Sequence, residues 1–303
     1  MTEQPTVFIT GATDGHGRAL ARRLAADGAS LILHGRDPGR LACTADDIHD
    51  TYGVGKPRTV LADLAELAQV RRMAAEVRAG TERLDVFVSN AGMGAGHPDA
   101  RTRQTSPDGH ELRFAVNYLA GFLLTLELLP LLRSSPPARV VNVASLGQHP
   151  LDFDDLMIDH GYSGTRAYGQ SKLAQIMSGF ELAGRVPATE VTVNSLHPAT
   201  YMPTKIVLEE SGHQIDSGLQ GGRKAAWFDD DANQRHRRAA GGEVPRRLRG
   251  SGFDAGGVAI FDLPRLGPAS PARFPTSDLG HMEAHSTTPG HALVVIGDKV
   301  AAS

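Results

Sequence analysis

Residues Thr6–Gly28 read TVFITGATDGHGRALARRLAADG. The segment opens with a short run rich in β-branched side chains, Thr6–Thr10, the pattern of a buried strand. It breaks at once into a turn with glycines at 11, 15 and 17, then carries Ala19, Leu20, Leu24 and Ala25 at helical spacing and ends at Gly28. Strand, glycine turn and helix in succession is the context that makes a glycine-rich loop informative. Such a turn lets the backbone approach a pyrophosphate, which then sits at the positive end of the helix. The spacing is G-x-x-x-G-x-G, not G-x-G-x-x-G, and a tight turn without a ligand has the same outline. The remainder of the chain decides between them.

A second buried strand, Ala29–His34, runs into Gly35, Arg36, Asp37 and Pro38. An acidic residue near this point accepts from a ribose 2′-hydroxyl, whereas an arginine suits a 2′-phosphate, so Arg36 argues for NADP. Asp37 reads instead as a helix N-cap, with Pro38 in the first turn. Arg18 either helps hold the phosphate or is solvated. Arg58–Leu64 is a third strand; Asp63 at its end either bonds an adenine amino group or caps the next helix, Glu66–Ala79. Leu84–Ser89 is a fourth strand leading into Asn90, Ala91 and Gly92. A long helix over Asp108–Leu132 has an apolar face interrupted by Asn117, a buried amide that needs a partner. Ala138–Ala144 is a fifth strand with Ser145 at its carboxyl end, and Val191–His197 a sixth. Apolar strands alternating with amphipathic helices predict an α/β, three-layer, doubly wound Rossmann fold with a parallel sheet of six to seven strands and helices on both faces. Ligands of such sheets sit at the carboxyl ends of the strands, where these features fall.

The helix predicted over Thr165–Glu181 places Tyr168 four residues before Lys172, on one face. A tyrosine near pKa 10 is a poor acid or base at neutral pH, and a neighbouring ammonium favours the phenolate. The pair is a plausible proton-transfer device.

With these parts in place the chain resembles the short-chain dehydrogenase/reductase family. The matches are TGATDGHG at Thr10–Gly17, NAG at Asn90–Gly92, Asn117 in VNYLAGFLL, Ser145 in VVNVAS, and YGQSK at Tyr168–Lys172, in the family's order over residues 6 to about 208. The 23 residues from Ser145 to Tyr168 and the insert Leu151–Leu156 resemble the retinol-dehydrogenase-like branch. The resemblance implies a catalytic set. Tyr168 is the general acid or base. Lys172 lowers its pKa and holds the nicotinamide ribose. Ser145 stabilises the substrate oxygen, and Asn117 holds a water behind Lys172. It implies NADP(H) contacts at Gly11, Thr13, Asp14, Gly15, His16, Gly17, Arg36, Asp63, Leu64, Asn90, Ala91, Gly92, Tyr168, Lys172 and Pro198. Taken singly, Ser145 reads equally as a strand-end cap and Asn117 as a satisfied core amide.

Some positions depart from the family. His16 stands where an aliphatic residue is usual, Ser89 replaces an asparagine, and Ala199 replaces a glycine after Pro198. The downstream threonine facing the nicotinamide is either Thr200 or Thr204. Tyr201, Met202, Ile206, Val207 and Leu208 suggest an apolar substrate lid. From about Gly218 the composition turns to Gly, Arg and Pro, which argues for loop or disorder. The chain therefore divides into a catalytic domain over 1–217 and an atypical segment over 218–303, with strand candidates at Gly257–Leu263 and Ala292–Ile296. One hypothesis is that a frameshift after about Asp216 produced the abrupt change; resequencing the gene tests it, and an unaltered frame with an ordered 218–290 would refute it.

Composition sets further bounds. The 303 residues carry a net charge of −3, which gives no electrostatic basis for nucleic-acid binding. Cys43 is the only cysteine, so an intrachain disulfide is excluded and a reducing, cytoplasmic setting is expected. The N-terminus lacks a signal pattern, and no run approaches the roughly 18 apolar residues of a membrane span. Asp152, Asp154 and Asp155 read as a solvated loop, and His281 and His285 lack the H-E-x-x-H pattern, so no metal is expected. The partners expected are a small carbonyl or alcohol substrate and further copies of the chain, in a homodimer or homotetramer. The leading function is an NADP-dependent oxidoreductase for an aldehyde/ketone–alcohol pair. The alternatives are a catalytically weak nucleotide-binding regulator or scaffold on the same fold, and a sugar-nucleotide epimerase or dehydratase.

Overall fold

The computed structural model describes residues 4–96 and 100–198, together with the backbone of Leu293–Val295. The expected lid residues 199–208, the boundary near 217 and the strand candidate at Gly257–Leu263 lie outside the described residues.

The strands are β1 (Thr6–Ile9), β2 (Ser30–Gly35), β3 (Arg58–Leu61), β4 (Val86–Ser89), β5 (Ala138–Val143), β6 (Val191–His197) and β7 (Leu293–Val295). They form one sheet in the order β3-β2-β1-β4-β5-β6-β7, and every pairing is parallel. The chain winds outward from β1 in both directions, so the switch point lies between β1 and β4, where such sheets bind ligands. The last strand, expected at Ala292–Ile296, is found at Leu293–Val295 beside Ser195–His197 of β6.

Because strand side chains alternate, the sheet has two apolar faces. Phe8, Ile32, Val60, Phe87, Val140 and Val193 point to one. The helices α3 (Leu67–Ala79) and α5 (Ala120–Arg133) cover it with Val70, Met73, Val77, Leu124, Leu128 and Leu132. Val7, Ile9, Leu31, Leu33, Val88 and Val141 point to the other, under α1 (Gly15–Ala26) and α2 (Pro38–Tyr52). Right-handed crossovers produce this split: connections running one way along the sheet lie on one face, and those running back lie on the other.

Helix caps follow the sequence chemistry. Asp37 Oδ1 accepts from the Arg40 N–H with Pro38 in the first turn, and α2 ends at Gly53 in the left-handed region at φ 63°. The helix expected over Asp108–Leu132 starts later, as α4 (Leu112–Phe114). It passes through a π-helical turn at Ala115–Leu119 before continuing as α5. The preceding residues are held out of the helix by a bridge between Thr105 and Glu111, whose carboxylate caps Phe114.

The helical stretch Leu112–Arg133 has 22 residues and holds an 18-residue window of mean hydropathy 1.7, enough by length and composition to cross a membrane. This corrects the expectation that no segment approaches a span. In this fold the stretch is a core helix, with Leu124, Leu128 and Leu132 all 0% exposed against the sheet.

Candidate active site

The glycine turn leaves β1 at its carboxyl end. Gly11 adopts φ 67°, and a Cβ there would lie 2.9 Å from the Ala91 Cα, so only glycine fits. A Cβ on Gly17 would lie 2.3 Å from the Gly11 carbonyl oxygen and 2.5 Å from Asn90 Nδ2. The turn is thus folded onto itself and onto the Asn90–Gly92 segment. Asn90 Nδ2 donates to the carbonyls of Thr10 at 2.8 Å and Gly11 at 3.3 Å. The Ala91 N–H donates to Thr10 Oγ1. Asp14 caps α1 through the Gly15 N–H and pairs with Arg40 at 2.9 Å.

His16, whose role the sequence left open, is half-buried with Nδ1 2.8 Å from Asn90 Oδ1. Burial holds its pKa below the ordinary value. Arg36 is exposed past the end of β2, open to solvent beside the turn. Arg18 pairs with Asp47 at 3.3 Å, which favours its non-phosphate reading. Asp63 accepts from the Ala65 N–H, so one carboxylate oxygen serves its own turn. Leu64 is buried in the core, and Pro198 follows β6 directly.

On the other side of the switch point, α6 (Gly164–Arg185) carries Tyr168 and Lys172. Lys172 is 5% exposed; its Nζ donates to the Val143 carbonyl at 2.8 Å and lies 5.9 Å from the centre of the Tyr168 ring. Burial lowers its pKa to about 8. Ser145 follows β5; a Cβ on Gly147 would lie 3.5 Å from Ser145 Oγ and 3.7 Å from Tyr168 Cε1, so both side chains flank one small gap.

Asn117 occupies the π-helical turn, a distortion common at functional sites. Its Oδ1 accepts from the Met93 N–H at 2.8 Å, and its Nδ2 donates to the Met93 carbonyl and to Ser171 Oγ. Ser171 in turn donates to the Tyr168 carbonyl at 2.7 Å. A Cβ on Gly92 would lie 3.3 Å from Asn117 Oδ1 and 3.6 Å from Lys172 Nζ. Asn117, Ser145, Tyr168 and Lys172, far apart in sequence, meet at the carboxyl ends of β4 and β5.

Several partners carry no motif in the sequence. Gln175 accepts from Lys172 Nζ at 3.4 Å and donates to Ser89, tying the ammonium to β4. Arg113, 0% exposed, donates to the carbonyls of Gly94 and Ala95 and to the Tyr162 hydroxyl, which donates to Glu111 at 2.9 Å. Burial and then the Glu111 charge push the Tyr162 phenol up to about 12, so it stays a neutral donor. This network fixes the loop after Gly92 against the loop before α6. A signal was available: Arg113 lies four residues before Asn117 on an otherwise apolar helix. Asp152, in the insert, pairs with Arg166, and Asp155 accepts from the N–H groups of Asp159 and His160.

The short chain dehydrogenase profile matches residues 5–214. The chain belongs to this family. It is 39% identical over 197 residues to human retinol dehydrogenase 13, covering 64% of this chain and 58% of that one. It is 43% identical over 196 residues to a candidate daunorubicin C-13 ketoreductase, DnrU, of Streptomyces, covering 64% of each. It therefore spans less than two thirds of the length of these relatives. Among solved structures it resembles Pseudomonas aeruginosa RhlG in an NADP active-site complex, with TM-score 0.56 and 28% identity over 70% of this chain and 78% of that one. A short chain dehydrogenase from Shigella flexneri complexed with NADP gives TM-score 0.56 and 26% identity over 69% and 82%. The retinol-dehydrogenase-like branch expected from the sequence is the one these relatives occupy.

Proposed function

We propose that this family member is an NADP-dependent oxidoreductase that interconverts an aldehyde or ketone and its alcohol, with Tyr168 as the general acid and base. The observation that carries the reading is the meeting of Asn117, Ser145, Tyr168 and Lys172 beside the switch point. Their surroundings fit a dinucleotide: the Gly11–Gly17 turn opens onto the N-terminus of α1, and Arg36 is exposed at the end of β2. The turn binds the phosphates through backbone N–H groups, and Arg36 pairs with a 2′-phosphate. When bound, the nicotinamide supplies the hydride chemistry. The related structures that hold NADP favour the same cofactor.

In reduction, Tyr168 Oη gives its proton to the substrate oxygen, and in oxidation it takes the hydroxyl proton. Ser145 Oγ donates a hydrogen bond to the same oxygen and stabilises developing negative charge. Lys172, held by the Val143 carbonyl and Gln175, places its positive charge near the phenol and favours the phenolate. Asn117 fixes the backbone of Met93 and, through Ser171, the helical turn carrying Tyr168.

The substrate proposed has a hydrophobic body, as do the retinol and daunorubicin of the relatives' names. An NADPH-consumption screen over aldehydes and ketones tests this; turnover of none of them, with NADPH bound, would leave a nucleotide-binding protein instead. A homodimer is proposed through α5 and α6, where Phe122, Leu126, Met177 and Phe180 are exposed. A monomer by light scattering would refute it.

A further inference from the structure

We infer that His34, backed by His16 through Asn90, latches the Gly11–Gly17 turn, that His34 holds it only as a neutral ring, and that nucleotide affinity falls as His34 takes up a proton. The inference rests on the dinucleotide-binding reading above. Neither side chain touches the catalytic groups; both are positioning residues for the cofactor turn.

The latch grips Gly11 at both of its backbone groups. On one side the Gly11 N–H donates to His34 Nδ1 at 3.2 Å. The other ring nitrogen, Nε2, is 3.0 Å from the Ala62 carbonyl, which only accepts. The tautomer is therefore fixed, with hydrogen on Nε2 and a lone pair on Nδ1. A second proton can go only on Nδ1, where it faces the Gly11 N–H and breaks the bond.

On the other side the grip is indirect. Asn90 Nδ2 donates to the Thr10 and Gly11 carbonyls, so its Oδ1 faces His16 and must accept. His16 Nδ1 is then the donor, and Nε2 carries the lone pair. Among the described residues Nε2 has no hydrogen-bond partner. It sits at a cavity of about 40 Å³ whose other walls include Val7, Leu20, Leu24, Val88, Val141 and Leu196. Such walls give a water too few partners to be held there. A second proton on His16 would place a charge in that apolar space.

The surrounding charges do not reverse this. Asp63, at the end of β3, faces His34 and favours its protonation, but burial outweighs it and holds the pKa below 6.5. Arg139 of β5 is the charged residue lining the His16 cavity, and burial again dominates. Asp14 on the turn is paired with Arg40. A shift of Gly11 does not stay local, because its carbonyl packs against Gly17 and its Cα against Ala91.

The test is calorimetric titration of the full chain with NAD⁺ and NADP⁺ from about pH 8 down to about pH 4.5, past the lowered imidazole pKa values, with circular dichroism reporting the fold at each pH. NAD⁺ lacks the 2′-phosphate, which itself titrates near pH 6 and would mask the effect. NAD⁺ affinity is expected to fall by roughly tenfold or more over this range. The double variant His16→Asn/His34→Asn keeps an acceptor for the Gly11 N–H and a donor to Asn90 without titrating, and its affinity should change by less than about threefold with pH. At about pH 8 His34→Leu, which lacks the acceptor, should bind roughly fivefold or more weakly, with most of the loss recovered by His34→Asn. If the double variant does not fold, His34→Asn alone should remove most of the pH slope. A flat wild-type profile, an unchanged slope in the asparagine variants, or His34→Leu binding like wild type would overturn the latch. Failure of the wild type to bind either nucleotide at about pH 8 would overturn the functional reading as well.

Discussion

The two walls of the cleft are built from different materials. On the β1–β2 side, glycine backbone is packed so tightly that Gly11 and Gly17 admit no Cβ, and the side chains of His16, His34 and Asn90 are spent on holding that backbone. On the β5–α6 side, the backbone is ordinary strand and helix, and the side chains of Ser145 and Tyr168 flank the gap themselves, with the Lys172 ammonium buried behind. Shape is the working feature of the first wall and titratable chemistry that of the second. Damage to one should therefore appear as lost affinity, and damage to the other as lost turnover.

The sharpest way to break this contrast is Tyr168→Phe. Turnover should fall by roughly 10²–10⁴-fold with nucleotide affinity within about threefold of wild type; stopped-flow kinetics with a parallel binding titration measures both, and an active variant refutes the proton role. Next in size is Arg113→Met, which joins neither wall directly. It leaves Glu111 buried without its cation and the Gly94 and Ala95 carbonyls unpaired, so unfolding by urea should show a loss of roughly 3–5 kcal/mol. Lys172 offers a pH test of the catalytic wall. Its folded pKa of about 8 lies below the unfolded 10.5, so between those values the unfolded chain binds more protons and stability rises with pH. The rise should total about 3 kcal/mol and vanish in Lys172→Met, as followed by denaturation at fixed pH steps.

Gly17→Ala strikes the first wall. It should weaken both nucleotides by roughly tenfold or more while leaving the turnover of the saturated enzyme nearly intact, because the clash is with the Gly11 carbonyl and not with the catalytic groups. A large drop in kcat at saturation would show that the walls are not separable. Arg36→Ala is the mildest. NADP⁺ affinity should fall by about tenfold and NAD⁺ affinity should stay unchanged; equal losses, or none, would remove the argument for NADP.

The sheet was largely visible in the sequence because buried parallel strands are short, continuous apolar runs and the helices between them keep a helical period. Strand ends were placed a few residues long, as at Arg58–Leu64 against the observed Arg58–Leu61, since the last residues leave the ladder before the apolar pattern ends. The start of the long helix was missed because the local bridge from Thr105 to Glu111 and the Glu111 cap on Phe114 leave no mark in the apolar period. Even the last strand was marked by its apolar run at Ala292–Ile296, although only pairing with β6 shows that it joins the sheet.

The candidate site divides the same way. Asn117, Ser145, Tyr168 and Lys172 could be named from short motifs. Gln175, His34 and the partners Tyr162 and Glu111 of Arg113 could not, because a buried polar side chain looks in sequence like any surface one; Arg113 alone left a signal, four residues before Asn117 on an otherwise apolar helix.

By itself, then, the sequence determined the order of strands and helices, the glycine turn and the i, i+4 pairing of Tyr168 with Lys172, since each is a local pattern of period, bend or spacing. The tertiary structure alone decided that β1 and β4 meet at the switch point, that Asn117 and Ser145 come together with the Tyr168–Lys172 pair, and that His34 bonds Gly11 while His16 bonds Asn90. Those outcomes depend on which faces pack together, and burial is what forces every polar group brought there to find a partner.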